Sequence, residues 1–509
     1  MTEQQVTTTT LSELVSRRVE KDPGQVALVA DGVHTLTVGE WESRSRALAR
    51  RLLDRGVRPG DRVALLSGET GWIDYAIGNL ALYMAGATVV GVSHRLPAAE
   101  LRRRLEHCGV AALLTAGDVE RLDRGDVAAR TEDLAEILHT SGTTGTSKPI
   151  AVSHANLSFG QDTRGGLFAG STGVLSAVPI GTNACHSAVV LAMTAGSPVH
   201  VLSDLGAENI AAMIEKIGVE MAIIPPSTAG RLVTTGLHER YDLSGLTALM
   251  LGSAPVPPAT VSKVSRALPG MRMMIGYGST ESAPAFVHTV VGESWTGSVG
   301  SPGRGTELKV VDATRAADAV DAEEEPLPPG RVGEICLRSP APQRFYYRDP
   351  EATARVFRNG WTHMGDLGHI DEDGFLHFFD RARDVIVRDG VRISSLRVEG
   401  ALLWHPEVVE AAAFGVPDPV MGQAVAAAVV LRSPAGTAAG SSPADAVLVE
   451  PSPAAGSPAA DAVATGSSAD GLDALLAERL EAHELPDRID VVDSLPRGDL
   501  GKLLKRELR

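Results

Sequence analysis

Leu138-His139-Thr140-Ser141-Gly142-Thr143-Thr144-Gly145-Thr146-Ser147-Lys148 places hydroxyls, glycines and a lysine in one short stretch. Glycines let backbone N–H groups turn toward an anion without Cβ obstruction, Ser and Thr hydroxyls add donors, and the lysine supplies a mobile positive charge. The stretch therefore reads as a loop that holds phosphate. It is not the kinase-type P-loop, which has four residues between its glycines and then Gly-Lys-Ser/Thr opening a helix. Here Gly142 and Gly145 are three apart and Lys148 runs into Pro149. Taken alone it is as readily a polar surface turn, so its surroundings decide.

Around the loop, residues 11–195 alternate helical apolar periodicity with short buried runs such as Arg62-Val63-Ala64-Leu65-Leu66, Ala87-Thr88-Val89-Val90-Gly91 and Val110-Ala111-Ala112-Leu113-Leu114. That rhythm predicts a parallel sheet with crossover helices. It recurs in runs at 198–202, 221–225 and 248–252, with a helix at 207–217. Residues 297–379 change to shorter strands with Gly-Asp, Asp-Gly and Pro-Gly turns, the pattern of a small β-barrel or antiparallel unit. The charged stretch Asp380-Arg381-Ala382-Arg383-Asp384 marks a boundary. Residues 433–470 are dominated by Ala, Ser, Pro, Gly and Asp and read as a disordered surface insertion, with a helix resuming at Gly471. The expectation is an α/β chain, α+β multidomain in detail. A large N-terminal domain, residues 1–382, carries helix-flanked sheets and a β-barrel-like subdomain, and a small α+β C-terminal domain follows over residues 383–509.

At 509 residues the chain exceeds one ordinary core, which fits that division. A formal charge of −16 repels nucleic acid and acidic membranes, which excludes a polyanion partner as the expectation. No run of about twenty apolar residues is present, and residues 1–10 lack the basic-then-apolar pattern of a signal peptide, so a soluble, cytoplasmic protein is expected. Cys108, Cys185 and Cys336 are far apart in sequence, which fits a reducing compartment and argues against a structural zinc site. The basic end, Lys502-Leu503-Leu504-Lys505-Arg506-Glu507-Leu508-Arg509, reads by itself as a solvated helix end. Trp361 and Phe375 read as core.

Three further motifs follow in order. Gly276-Tyr277-Gly278-Ser279-Thr280-Glu281 comes directly after Met273-Met274-Ile275, and its aromatic, hydroxyl and carboxylate suit a base, a phosphate and a magnesium ion. Gly360-Trp361-Thr362-His363-Met364-Gly365-Asp366 can aim Asp366 at sugar hydroxyls, and Pro496-Arg497-Gly498-Asp499-Leu500-Gly501-Lys502 lies near the end. With Gly333-Glu334-Ile335 and the Arg381-Ala382-Arg383-Asp384 stretch, the chain resembles, nearly end to end, the adenylate-forming superfamily, in its acyl-CoA ligase branch.

The resemblance implies two half-reactions. A carboxylate attacks the α-phosphate of ATP to give acyl-AMP and pyrophosphate, and a thiol, usually of coenzyme A, then displaces AMP. It also implies that the small C-terminal domain is mobile and turns between the halves about Arg383 or Asp384. Thr140, Ser141, Gly142, Thr143, Thr144, Gly145 and Lys148 would hold the β- and γ-phosphates. Thr280 would touch the α-phosphate, Glu281 would help bind Mg2+, and Tyr277, flanked by Gly276 and Gly278, would stack on adenine. Asp366 and Arg381 would take the ribose hydroxyls, and Lys502 would bridge the attacking carboxylate and the phosphate. The acid pocket would include His186, Ser227, Gly252, Ser253 and Ala254, although His186 is as readily a core histidine. Its segments are rich in Gly, Ala and Ser with no charge but Glu281, which suits a bulky or long, largely apolar acid.

Pro149 stands where relatives carry glycine, Arg397 where they carry glutamate, and Asp389 replaces the first glycine of a common pair. Met364 and Phe345 also depart from the family pattern. Proline restricts Lys148 toward extended conformations and removes a donor. These departures motivate a ligase specialised for the thioester half, fed with acyl-AMP by a separate adenylating enzyme. Two other readings are an acyl-AMP ligase loading a carrier protein and a non-catalytic acyl-adenylate binding protein.

Overall fold

Two capping boxes start the first long helices. The Thr10 hydroxyl accepts from Glu13 N at 3.3 Å while Glu13 reaches back to Thr10 N, opening Leu11–Lys21; Thr37 and Glu40 repeat the arrangement ahead of Val38–Asp54. The computed structural model describes residues 9–68, 71–115, 118–121, 134–140, 147–161, 170–293, 295–313, 324–432, 471–498 and 503–509. The predicted insertion at 433–470, the loop residues Ser141, Gly142, Thr143, Thr144, Gly145 and Thr146, and Lys502 lie outside the described residues.

The β-α alternation is distributed over two sheets rather than one. A seven-stranded sheet runs Phe345–Tyr346, Lys148–Ser153, Leu134–Thr140, Thr88–Ser93, Arg62–Ser67, Ala112–Thr115 and Asp118–Arg121. A nine-stranded sheet runs Ser301–Pro302, Val287–Val290, Arg272–Tyr277, Ala248–Leu251, Met221–Ile224, Val174–Ser176, Val199–Val201, Val26–Ala30 and His34–Thr37. Their middles are parallel, as the buried apolar runs require, and their edges antiparallel. The helix Trp72–Met84 is apolar nearly all round because it lies between them. Gly78 leaves no room for a Cβ against Leu65, 2.7 Å away, and the Trp72 indole donates to Leu202 O at 3.1 Å.

Residues 297–379 give the antiparallel unit expected of their turns. Its five-stranded sheet orders Glu307–Val311, Gly333–Arg338, Trp361–Ile370 and Phe357–Arg358, with Leu376–Arg381 also paired to Trp361–Ile370. Gly368 is required there, since a Cβ would stand 2.4 Å from His377 O. Trp361 lies beneath Lys309 and Arg338. Phe375, read as core from sequence, is instead 41% exposed, because the Asp371 carboxylate accepts from the Asp373 and Phe375 N–H groups and so forms the turn whose tip carries the ring.

The last unit carries a three-stranded sheet, Val408–Asp418, Gly422–Leu431 and Arg488–Val491, and a hairpin, Ile386–Arg388 with Val391–Ile393. Asp389 and Gly390 both have positive φ, 48° and 75°, the geometry of a two-residue type I′ turn, and this turn explains why Asp is tolerated in place of glycine. Arg397 is accounted for by Glu484, 2.9 Å away. The basic tail is not a solvated helix end. Lys505 is nearly buried, 2.6 Å from both the Glu399 carboxylate and the Ser395 hydroxyl, because Glu399 needs a cation where it is buried. Leu503 and Leu508 pack against the cluster around Phe414.

Phe414→Ala should destabilise this unit by about 3–5 kcal/mol, since Phe414 is 1% exposed; an earlier urea-unfolding transition by circular dichroism checks it.

Candidate functional site

Parallel strands of the nine-stranded sheet end at Ile224, Leu251 and Tyr277, and the segments beyond those carboxyl ends hold the candidate residues. Gly252 and Gly276 face each other across neighbouring strands, a Cβ on Gly252 being 3.7 Å from Gly276 O. Ser253 sits at φ 67°, in the left-handed region that ordinary side chains avoid, and both Ser253 and Ala254 are exposed on the rim. Ser227 is exposed on the helix Pro226–Thr234.

The turn after Tyr277 is gripped by the segment 342–347. Arg344 is 6% exposed; its Nη1 donates to Thr280 O at 2.8 Å and its Nε to Asn156 Oδ1 at 3.0 Å, with Asn183 Oδ1 at 3.4 Å. Burial pulls the guanidinium down to about 10, and the nearby Glu136 and Glu281 carboxylates oppose that shift. Asn156 in turn donates to Ala283 O and Pro342 O. The Tyr346 hydroxyl donates to Glu281 Oε1 at 3.0 Å, and Lys148 Nζ lies 5.1 Å from the centre of the same ring. Tyr346 occupies this place because the strand Phe345–Tyr346 pairs with Lys148–Ser153, opposing Tyr346 to Ile150. The Glu281 carboxylate is partly exposed, and among the described residues its second oxygen has no hydrogen-bond or ion-pair partner. A carboxylate oxygen with no partner among the described residues, near Lys148, fits a hard cation such as Mg2+.

Thr140 and Lys148, the two ends of the glycine-rich stretch, are register partners in antiparallel strands. Pro149 lies inside the strand Lys148–Ser153, its carbonyl accepting from Tyr347 N at 2.9 Å. The extended backbone that proline favours at Lys148 is the one the strand needs.

A third sheet closes the site. The Tyr277 hydroxyl donates to Asp366 Oδ2 at 3.0 Å, Arg381 Nε lies 3.7 Å from Asp366 Oδ1, and Asp366 and Arg381 oppose each other in register. Phe378 backs the Tyr277 ring at 5.6 Å. Burial raises the Asp366 carboxyl to about 6, and Arg381 and the tyrosine only partly offset it. Arg383 and Asp384 pair with each other at 3.6 Å, and Arg509 approaches Asp384 at 4.0 Å.

His186 is buried among the described residues. It is 4% exposed with Nδ1 2.7 Å from Glu136 Oε2, close enough for an ion pair although not aligned as a hydrogen bond. Asn79 and Tyr83 also donate to Glu136. Burial would raise that carboxyl, but His186, Tyr83 and Asn79 outweigh it and hold it below the usual range. The helix Asn183–Thr194 carries His186 inward at the turn after the Thr182 cap, which a linear motif does not reveal.

The small unit meets the large one through ions. Glu410, nearly buried, lies 2.6 Å from Arg231 of the helix Pro226–Thr234 and 2.9 Å from Arg497, at the root of the segment leading to Lys502. Lys263 donates to His405 O at 3.1 Å. Elsewhere, Glu324, Cys336 and His363 come together with a metal-like spacing that the sequence separation of the cysteines hid. The Arg358 guanidinium stands 2.7 Å from His363 Nδ1 and 3.5 Å from Glu324, where a cation would otherwise sit.

Residues 15–129 and 120–347 match the AMP-binding enzyme family, and residues 397–502 match the AMP-binding enzyme C-terminal domain. The chain is 31% identical to a feruloyl-CoA synthase from Amycolatopsis sp, with 97% of each chain covered. It is 30% identical to a 2-succinylbenzoate–CoA ligase from Geobacillus kaustophilus, covering 98% of each. Among solved structures it resembles an amide bond synthetase from Marinactinospora thermotolerans, at a TM-score of 0.75 and 26% identity over 98% of this chain and 99% of that one. Among the described residues no helix is long and apolar enough to cross a membrane.

If Asp366 accepts hydrogen bonds from a ligand, AMP affinity measured by calorimetry should fall as pH drops through about 6, where the carboxylate protonates, and Asp366→Asn should flatten that dependence. The stability term has the opposite sense. Between about pH 4 and 6 the native carboxyl holds a proton that the unfolded one has lost, so its contribution to stability declines as pH rises through that window.

Proposed function

Because the chain belongs to the AMP-binding, adenylate-forming enzymes in their acyl-CoA ligase branch, we propose that it converts a bulky or long, largely apolar carboxylic acid to its CoA thioester through an acyl-adenylate, running both half-reactions itself. The observation that carries this reading is the cluster of Tyr277, Asp366 and Arg381 beside the Thr280–Glu281 turn, which sets a ribose-type acceptor next to phosphate-type donors.

A carboxylate is already a nucleophile, so the first half needs no general base. Its obstacle is bringing one anion against another, and positioned positive charge is the remedy. Lys148, Thr140 and residues 141–145 bind the β- and γ-phosphates, the Thr280 hydroxyl contacts the α-phosphate, and Lys502 holds the attacking oxygen to the phosphorus. Mg2+, when bound, neutralises phosphate charge, and Glu281 is the residue to hold it. Asp366 and Arg381 fix the ribose while Tyr277 packs against the base. The new O–P bond forms as pyrophosphate leaves. In the second half the thiol sulfur attacks the acyl carbon and AMP leaves, after residues 383–509 turn about Arg383 or Asp384.

The pocket chemistry supports an apolar acid. The arginines nearest its segments are engaged elsewhere, Arg231 by Glu410 and Arg344 by Thr280 and Asn156, so neither is presented to a charged substrate group. Pro149 fits the strand Lys148–Ser153, its carbonyl accepting from Tyr347 N, which supports an enzyme that runs the adenylation half as well.

A panel of carboxylic acids with ATP and CoA, with amines as alternative acceptors because a solved relative is an amide bond synthetase, is expected to give AMP, pyrophosphate and the CoA thioester of an aryl or long-chain acid by mass spectrometry. Activation of acetate-sized or amino acids alone would sink the substrate assignment, and amides in place of thioesters would change the acceptor. Lys502→Ala should lower ATP–pyrophosphate exchange by at least about 100-fold while retaining most thioester formation from supplied acyl-AMP.

A further inference from the structure

Between the strand Lys148–Ser153 and the Thr280–Glu281 turn stands the short segment 342–347. Arg344 and Tyr346 both point from it toward that turn. Arg344 holds the Thr280 carbonyl at 2.8 Å and Tyr346 holds Glu281 Oε1 at 3.0 Å. The same Tyr346 ring lies under Lys148. Arg344 is itself locked by Asn156, whose amide also ties down Ala283 and Pro342, so the guanidinium cannot swing away without breaking a network of side chains. The effect is to hold one Glu281 oxygen, while the other has no partner among the described residues. A carboxylate free to rotate presents either oxygen, whereas one pinned by a phenol presents a fixed acceptor to a cation.

We propose that Tyr346 and Arg344 are positioning residues that hold Glu281 ready for the divalent cation accompanying ATP, and that through the Tyr346 ring they keep Lys148 and Glu281 on the two sides of the same polyphosphate. This rests on the adenylate-forming reading for the identity of the polyphosphate, and on the contacts of this chain for the assignment. Tyr346 does the finer part. Its hydroxyl touches the carboxylate and its ring touches the lysine side, so Tyr346→Phe removes the first contact and keeps the second. Arg344 does the coarser part, fixing the backbone from which Glu281 projects.

The test uses the full chain with ATP, and Mn2+ as the spectroscopic stand-in for Mg2+. Electron paramagnetic resonance gives the free Mn2+, and hence its affinity for the protein–ATP complex without turnover. Tyr346→Phe is expected to weaken Mn2+ binding about tenfold, the loss of one hydrogen bond to a charged group, and to raise the Mg2+ needed for half-maximal ATP–pyrophosphate exchange in parallel. Thioester formation from supplied acyl-AMP should fall less than exchange does. Arg344→Met should act in the same direction, with Arg344→Lys recovering part of the loss. Unchanged Mn2+ affinity in Tyr346→Phe overturns the proposal even where the enzyme turns over acids normally. Equal losses in both half-reactions, together with a lowered melting temperature, also overturn it, since a purely structural role predicts that pattern. Mn2+ binding that weakens in the variant supports it even if no acid in the panel is activated, an outcome that would instead count against the ligase reading.

Discussion

A guanidinium buried as deeply as Arg344 has to be matched on every side, and the way this chain matches it organises the site. Carbonyl and amide oxygens from Thr280, Asn156 and Asn183 accept its hydrogens, and the Glu136 and Glu281 carboxylates lie close enough to oppose the effect of burial. Removing a cation from water costs several kcal/mol, and leaving any one partner out would expose most of that penalty. Four segments distant in sequence are thereby held in one arrangement. The Thr280–Glu281 turn is the beneficiary, because its backbone is one of the acceptors.

Two phenols link the three sheets at the site. Tyr277 reaches from the nine-stranded sheet to Asp366 in the five-stranded one, and Tyr346 reaches from the seven-stranded sheet to Glu281. Each contact is a phenol donating to a partly buried carboxylate, a pairing that tolerates both a dry side and a wet one. Among the described residues the second oxygen of Glu281 has no partner, and that of Asp366 has Arg381 Nε at 3.7 Å. The terminal unit meets the rest differently. Its described contacts with the large unit include Arg231 and Lys263 on Glu410 and on backbone carbonyls, and contacts of that kind part and re-form more readily than an apolar interface.

Much of this was readable in one dimension. Strand and helix positions followed from periodicity, with the helix at 207–217 matching Ala207–Ile217 and the apolar runs at 62–66 and 248–252 falling on strands. Asp366 and Arg381 stand out by their motifs, and that they face each other is a matter of strand register. Arg344 was not found, since nothing near Gln343-Arg344-Phe345 distinguishes it from a surface arginine until its strand is laid against Lys148–Ser153. The exposure of Phe375 depends on the Asp371 turn that lifts it outward, and the burial of Lys505 on Glu399, far back in the chain.

The sequence by itself determined the α/β alternation, the composition of the glycine-rich stretch at 138–148 and the order of motifs that places the chain in its family. These depend on side-chain chemistry acting over a few residues. Only the tertiary structure decided which charges face one another: Glu136 with His186, Arg344 with Thr280, Glu410 between Arg231 and Arg497. Such pairs are set by how sheets cross and strands register, and a charge separated from its partner by 188 residues, as Arg344 is from Asn156, leaves no local trace. His186 shows the difference. Its residue type made it a candidate for the pocket, and the turn of one helix made it a partner of the core.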